Sequence, residues 1–225
     1  MIRRRFMQDL ENLNESMLKM GTINEQAISI AIRSLESREY SYKDVRELEI
    51  ENDSLERSIT SDCMEIILSQ QPVAGDLRVI TTAMRMVTDM ERIADQCVDI
   101  AEIAQHLAKQ PPMKIPGAIG HMADKATKMV SRSIDAYVQR DVELAQIVIG
   151  ADDEVDAMFM ELREEVITMI HDDAANGHAA IDFIMIAKYL ERIADHAVNI
   201  AEWVIFLITG HHKEKPLAAG AEAGE

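Results

Sequence analysis

Proline and glycine are scarce in this chain, five and nine among 225 residues, and they gather between periodic segments. That excludes a fold of many short strands and tight turns and leaves long helices. Aromatic residues are only 4%, so a core must come from Ala, Ile, Leu, Val and the fifteen Met. Two cysteines, Cys63 and Cys97, stand outside any CxxC and do not make a disulfide framework. Both occupy apolar positions of helical patterns, so buried free thiols in a reducing cytoplasm are expected. No apolar run approaches the length of a membrane span, and the longest near the end, Trp203–Ile208, has six residues. The start, MIRRRFMQDLENL, is basic but lacks the apolar stretch of a secretory signal. Basic charge is also short, 23 Lys and Arg against 40 Asp and Glu, for a net charge of −17. Without a basic stripe interleaved with aromatics, nucleic acid is not an expected partner.

What the chain does have is a repeat. Met90–Glu102 reads MERIADQCVDIAE and Leu190–Glu202 reads LERIADHAVNIAE, identical at nine of thirteen positions. Two such runs imply two copies of one structural unit. Apolar residues recur every three or four positions through six segments, the mark of amphipathic helices. The first covers about 4–37 and includes Gly21, tolerated at a cost of about 1 kcal/mol relative to Ala. The second follows a Ser41/Asp44 capping box and ends at Gln71-Pro72, because a residue before Pro is pushed out of the helical region. The third, about 76–108, carries the seam Ile80, Ala83, Val87, Met90, Ala94, Cys97, Ala101, Ala104. A linker at 110–117 separates the halves. The fourth helix covers about 118–139. The fifth is capped by Asp141 and runs unbroken to about Asp173, where Asn176-Gly177 closes it. The sixth, about 178–209, is stopped by Gly210.

Each half thus reads as helix, acid-pair helix, acid-pair helix. The expected fold is all-α, two pseudo-symmetric three-helix bundles with six long helices. The units are 1–112 and 113–210, followed by a disordered, Ala/Gly-rich tail at 211–225.

The acid pairs are Glu49/Asp53, Glu91/Asp95, Asp152/Asp156 and Glu191/Asp195, each four residues apart. On a helix that spacing stacks two carboxylates on one face, at a cost of a few tenths of a kcal/mol. Corresponding pairs lie 103 residues apart (Asp53, Asp156) and 100 apart (Asp95, Asp195). On a bundle Glu49/Asp53 can face Glu91/Asp95, and Asp152/Asp156 can face Glu191/Asp195. Asp99 and its neutral counterpart Asn199 are further oxygen donors. Such oxygen-only sites suit hard cations: Mg²⁺, Mn²⁺, Ca²⁺ or ferric iron. Arg92 and Arg192 directly follow the glutamates and offer the rival explanation, internal ion pairing. His196 reads as a core, capping or supporting histidine rather than a ligand. HExxH, Glu-x-x-His, an EF-hand loop, a P-loop and GxSxG are all missing. The alternative reading is a metal-dependent enzyme on a helical scaffold.

Together QPVAGDLR (Gln71–Arg78), LERIADHAVNIAEWV (Leu190–Val204), the sister copy MERIADQCVDIAE and the upstream acid pairs resemble the PhoU-type phosphate-uptake regulators, over nearly the whole chain. The resemblance implies two three-helix bundles with E/DxxxD motifs holding metal clusters, iron or zinc. Manganese or magnesium are the other expected ions. It implies a cytoplasmic, non-enzymatic negative regulator that contacts a phosphate ABC transporter ATPase and a phosphate-sensing histidine kinase. A homodimer is expected, peripheral at the inner membrane through its partners. Asn199 in place of an acid, and the absence of a QP break in the second half, depart from strict equivalence of the two sites.

Overall fold

The computed structural model describes residues 2–37, 41–110 and 114–211. The unit boundary read at 112/113, the tail from 212 onward and the side chain of Arg3 lie outside the described residues. Among the described residues every regular element is helical. Helices α1 (Ile2–Glu36), α2 (Tyr42–Gln70) and α3 (Gly75–Leu107) form the first bundle. Helix α4 (Gly117–Gln139), the pair α5 (Val142–Gly150) and α6 (Asp152–Asp172), and α7 (Gly177–Thr209) form the second.

The ends follow local chemistry. The Asp44 carboxylate accepts from the Ser41 backbone N–H at 2.7 Å and its hydroxyl at 2.8 Å, opening α2. Gln71 turns left-handed at φ 48° before Pro72. Asp141 accepts from the Leu144 N–H at 3.0 Å and opens α5. Gly210, at φ +78°, ends α7. Arg78 of α3 donates to the Leu207 carbonyl near that end at 3.5 Å and lies 5.9 Å from the Phe206 ring centroid.

Two expectations are corrected. The fifth segment is not one helix, because the chain breaks at Gly150–Ala151. Gly150 weakens the helix there, and the new start at Asp152 gives Asp152, Asp153 and Glu154 the partial positive charge of a helix N-terminus. Nor does Gly177 close a helix in the left-handed region. It has φ −56° and begins α7, while a short 3₁₀ turn (Ala174–Asn176) reverses the chain. The Asp173 carboxylate holds that turn by accepting from the Ala175 N–H at 2.9 Å.

The bundles share one apolar core. Its centre is the packing of α3 against α7, the most extensive helix pair. The two run antiparallel, as Arg78 near Leu207, Arg85 over Trp203, Asp89 beside His196 and His106 beside Asp182 show. Ala83, Ala94, Ala101 and Ala104 of α3 and Ala187, Ala194, Ala197 and Ala201 of α7 are all buried. Helix α4 lies against α1 at Gly21. A Cβ there would stand 3.1 Å from Ile134 Cγ1, so this glycine permits the approach instead of being merely tolerated. Cys63 and Cys97 are buried and free, and burial pushes the Cys63 thiol up to about 12. No helix among the described residues is long and apolar enough to cross a membrane.

Candidate metal centres

The first acid group joins α2 to α3. Glu49 is 4% exposed, and burial raises its carboxyl; the Arg46 guanidinium, 2.7 Å away, works against that. The negative charges of Asp53 and Asp95 push it up further. Glu91 is raised first by burial and then by Asp95, and it also feels Asp53 and Glu56 across the helix pair. Glu49 and Asp53 of α2 thus lie near enough to Glu91 and Asp95 of α3 for their charges to act on one another. The second group joins α6 to α7. Burial and then the charges of Asp195, Asp156, Asp153 and Glu191 push the Asp152 carboxyl up to about 6. Asp195 is raised by burial and by Glu191, with Asp156 contributing.

Asp99 and Asn199 take other places. Asp99 is raised by burial, feels Asp95 and Glu102, and is lowered by Arg192 of α7, so it faces the seam between bundles. The Asn199 amide donates to Asp89 Oδ1 at 3.1 Å, across the same seam. His196 Nδ1 reaches the same oxygen at 2.9 Å, consistent with a supporting role.

Several residues of the site escape the sequence pattern. Arg46 and Arg57 pair with Glu49 and Asp53 from one turn away, at 2.7 Å and 3.8 Å. Lys188 pairs with Glu191 at 2.5 Å. Fully buried Asn24 and Asn52 both donate to the Met90 carbonyl, at 3.0 Å and 3.1 Å. Asn52 could have been found, since a polar residue on an otherwise apolar helix seam is a signal. Its counterpart, Val155, carries none.

Among the described residues no three His, Cys, Asp or Glu side chains converge closely enough to hold a metal ion. Arg46, Arg57 and Arg92 lie beside the carboxylates of the first group, and Lys188 lies beside Glu191 in the second. The donor chemistry nevertheless fits a hard cation, all oxygen and drawn from two helices. One further observation points the same way. Glu49 Oε2 is buried and without a hydrogen-bond partner, a costly state that a cation would relieve.

Comparison with known proteins adds to this geometry. The family model described as "PhoU domain" matches twice, at residues 17–104 and 119–204. A Clostridium acetobutylicum protein described as a phosphate-specific transport system accessory protein PhoU homolog is 34% identical, covering 93% of this chain and 97% of its own length. The crystal structure of PhoU from Pseudomonas aeruginosa is similar with a TM-score of 0.86 and 32% identity, over 92% of this chain and 100% of that one. The phosphate transport system regulatory protein PhoU from Streptococcus pneumoniae shares the fold with a TM-score of 0.74 at 24% identity, over 93% and 100%.

Proposed function

The chain belongs to the PhoU domain family, and we propose that it is a cytoplasmic regulator of phosphate uptake that restrains the phosphate-starvation response. It acts by protein contact, with a phosphate ABC transporter ATPase and a phosphate-sensing histidine kinase as partners, as a homodimer and without enzymatic turnover. The observation that carries this reading is the match of both halves to the family model, with accessory proteins of phosphate transport among the relatives.

We propose further that the acid groups bind metal. Glu49, Asp53, Glu91 and Asp95 would hold a cation in the first half, and Asp152, Asp156, Glu191 and Asp195 in the second. Such a cation supplies positive charge that links two helices through their carboxylates. The residues themselves do the rest: α3 and α7 set the spacing of the acids, and the shared core fixes one group relative to the other.

The reading is tested by a clean deletion in the source organism carrying a reporter for a phosphate-starvation gene. Expression in phosphate-replete medium, reversed by the wild-type gene in trans, is the expected result. Normal repression in a strain with no second copy of the gene would refute it.

A further inference from the structure

The segment QPVAGDLR, Gln71–Arg78, takes no part in the acid groups, yet its backbone shape is costly. It carries the turn between α2 and α3. Two of the turn residues have positive φ without being glycine, Gln71 at φ 48° and Ala74 at φ 46° with ψ −112°. Such conformations strain a residue that has a Cβ, and they persist where the surroundings enforce them. Here the Gln71 N–H donates to the Ile67 carbonyl at 3.2 Å, and the Asp76 N–H donates to the Val73 carbonyl at 3.1 Å. Arg78 ties the start of α3 to the end of α7 through the Leu207 carbonyl and the Phe206 ring.

What this fixed turn presents to solvent is apolar. Val73 is 73% exposed, and Leu68 in the last turn of α2 is 75% exposed. Met64, one turn earlier on the same face as Leu68, is 46% exposed, and Leu77 in the first turn of α3 is 38% exposed. Single exposed apolar residues are ordinary, but these four gather at one end of a helix hairpin and form a patch. Negative charge rims it. Asp62 and Glu65 flank it on α2 and Asp76 on α3, and the last turn of α2 holds no basic residue against the partial negative charge of its helix end. Asp62 and Glu65 also line a groove of about 140 Å³ toward α1, with Asp9, Asn12 and Ser69. Arg5 reaches Glu65 at 3.9 Å with both side chains mostly in solvent. A guanidinium therefore fits beside Glu65, and this one is weakly held.

We propose that the turn and the helix ends beside it are a docking surface for a basic, apolar segment of another protein. Apolar side chains of that segment cover Leu68, Val73 and Leu77, and its Lys or Arg side chains meet Asp62, Glu65 and Asp76. The rim selects the occupant. A second copy of this chain brings a net charge of −17 and would set acid against acid across a two-fold axis, whereas a basic partner gains apolar contact and charge attraction together. The turn is held in its costly shape before the partner arrives, so little ordering remains to be done on binding. The inference rests on the reading that the protein acts by contact, and gives that contact a place.

The test is fluorescence anisotropy of a labelled helical peptide, with Leu on one face and Lys on the other, titrated with the full-length protein at physiological salt. Leu68→Gln with Val73→Gln leaves the charge unchanged and should weaken binding about tenfold or more, through lost apolar burial. Asp62→Asn with Glu65→Gln should also weaken it, and more at low salt than at high. Ile181→Gln changes a similarly exposed residue near the start of α7, which lies beside the far end of α3, and should leave binding unchanged. All these side chains are at the surface, and thermal melts check that each variant stays folded. Equal binding by wild type and the Leu68→Gln, Val73→Gln protein would show that net charge alone attracts the peptide and would overturn the inference. Absence of binding to wild type would overturn it too. Light scattering gives the oligomeric state of the same proteins. Self-association of wild type that the two substitutions abolish would assign the surface to a second copy, against the proposal. None of these outcomes touches the regulatory reading, which the deletion strain tests.

Discussion

His196 Nδ1 lies 2.9 Å from Asp89 Oδ1, a bond between residues 107 positions apart that ties α7 to α3. Asn199 donates to the same oxygen. The sister positions are Gln96, Tyr189 and Asp99, so this polar clasp occurs on one side of the seam only.

Asp89→Ala should therefore cost about 1–3 kcal/mol of unfolding free energy, because two partners lose their acceptor in a half-buried place. His196→Gln alone should cost less, since the Asn199 bond remains. A double-mutant cycle by urea denaturation is expected to give a coupling above about 0.5 kcal/mol. Additive effects would show that the contact contributes nothing.

The two acid groups should answer oppositely to neutralisation in metal-free protein. Asp195→Asn removes a charge that crowds Glu191 and Asp152 and should raise Tm in chelator. Asp95→Asn also removes the partner of Arg92 and should leave Tm unchanged or slightly lower, since such exposed pairs contribute about 0–1 kcal/mol. With Mn²⁺ added, wild type should gain Tm and a variant carrying both Asp95→Asn and Asp195→Asn should gain less, because a ligand that binds only the folded state stabilises it. An equal response of both proteins to Mn²⁺ would contradict the assignment of these residues.

The pH dependence follows from the raised carboxyls. Asp152 moves from an ordinary 3.8 up to about 6, and Glu49, Glu91, Asp99 and Asp195 move in the same direction. Between those values the folded state binds more protons than the unfolded state, so this contribution to stability falls as pH rises from about 4 through 6. Metal-free protein should consequently melt higher near pH 5 than near pH 7. Asp152→Asn should flatten that slope. A Tm that climbs steadily toward pH 7 in chelator would show that other groups dominate.

Gly21→Ala should destabilise the protein even though Ala is the better helix former by about 1 kcal/mol. The added methyl meets the Cγ atoms of Ile134, a buried β-branched residue with little rotamer freedom on its helix. Overpacking of this kind costs about 1–3 kcal/mol. In an Ile134→Ala background, which removes the opposing atoms, the same substitution should become neutral or stabilising. Chemical denaturation of the four proteins separates the two contributions.

Much of the architecture was legible because its signals are local and repeated. Periodicity located the helices, the capping residues and Pro72 located most ends, and ERIAD located the duplication. The break at Gly150–Ala151 was not legible, since the apolar pattern runs through it, and it reflects both the weakness of Gly150 in a helix and the gain for three acids at a new helix start. The nearness of Glu49 and Asp53 to Glu91 and Asp95 followed from helical spacing. The partners of individual acids did not, because the basic residues that pair with them stand within a turn on the same helix and side-chain rotamers decide which acid each one meets. Arg92 and Arg192 share the ERIAD motif, yet Arg192 lies over the ring of Tyr189 one turn before it, where the first half has Asp89. The place of Asn199 was missed because its Asp89 partner is 110 residues away.

The antiparallel meeting of α3 and α7 has an evolutionary consequence. In a dimer of identical chains, a substitution beside the two-fold axis necessarily appears on both sides of it. Here the two sides belong to one polypeptide, so each position can drift alone. Asp89 where the other copy has Tyr189, Gln96 where it has His196, and Thr88 where it has Lys188 are differences that no homodimer built from a single repeat could display across its axis. Fusion of the copies opened a path to specialisation: one half can be tuned for a task while its twin keeps the shared scaffold intact.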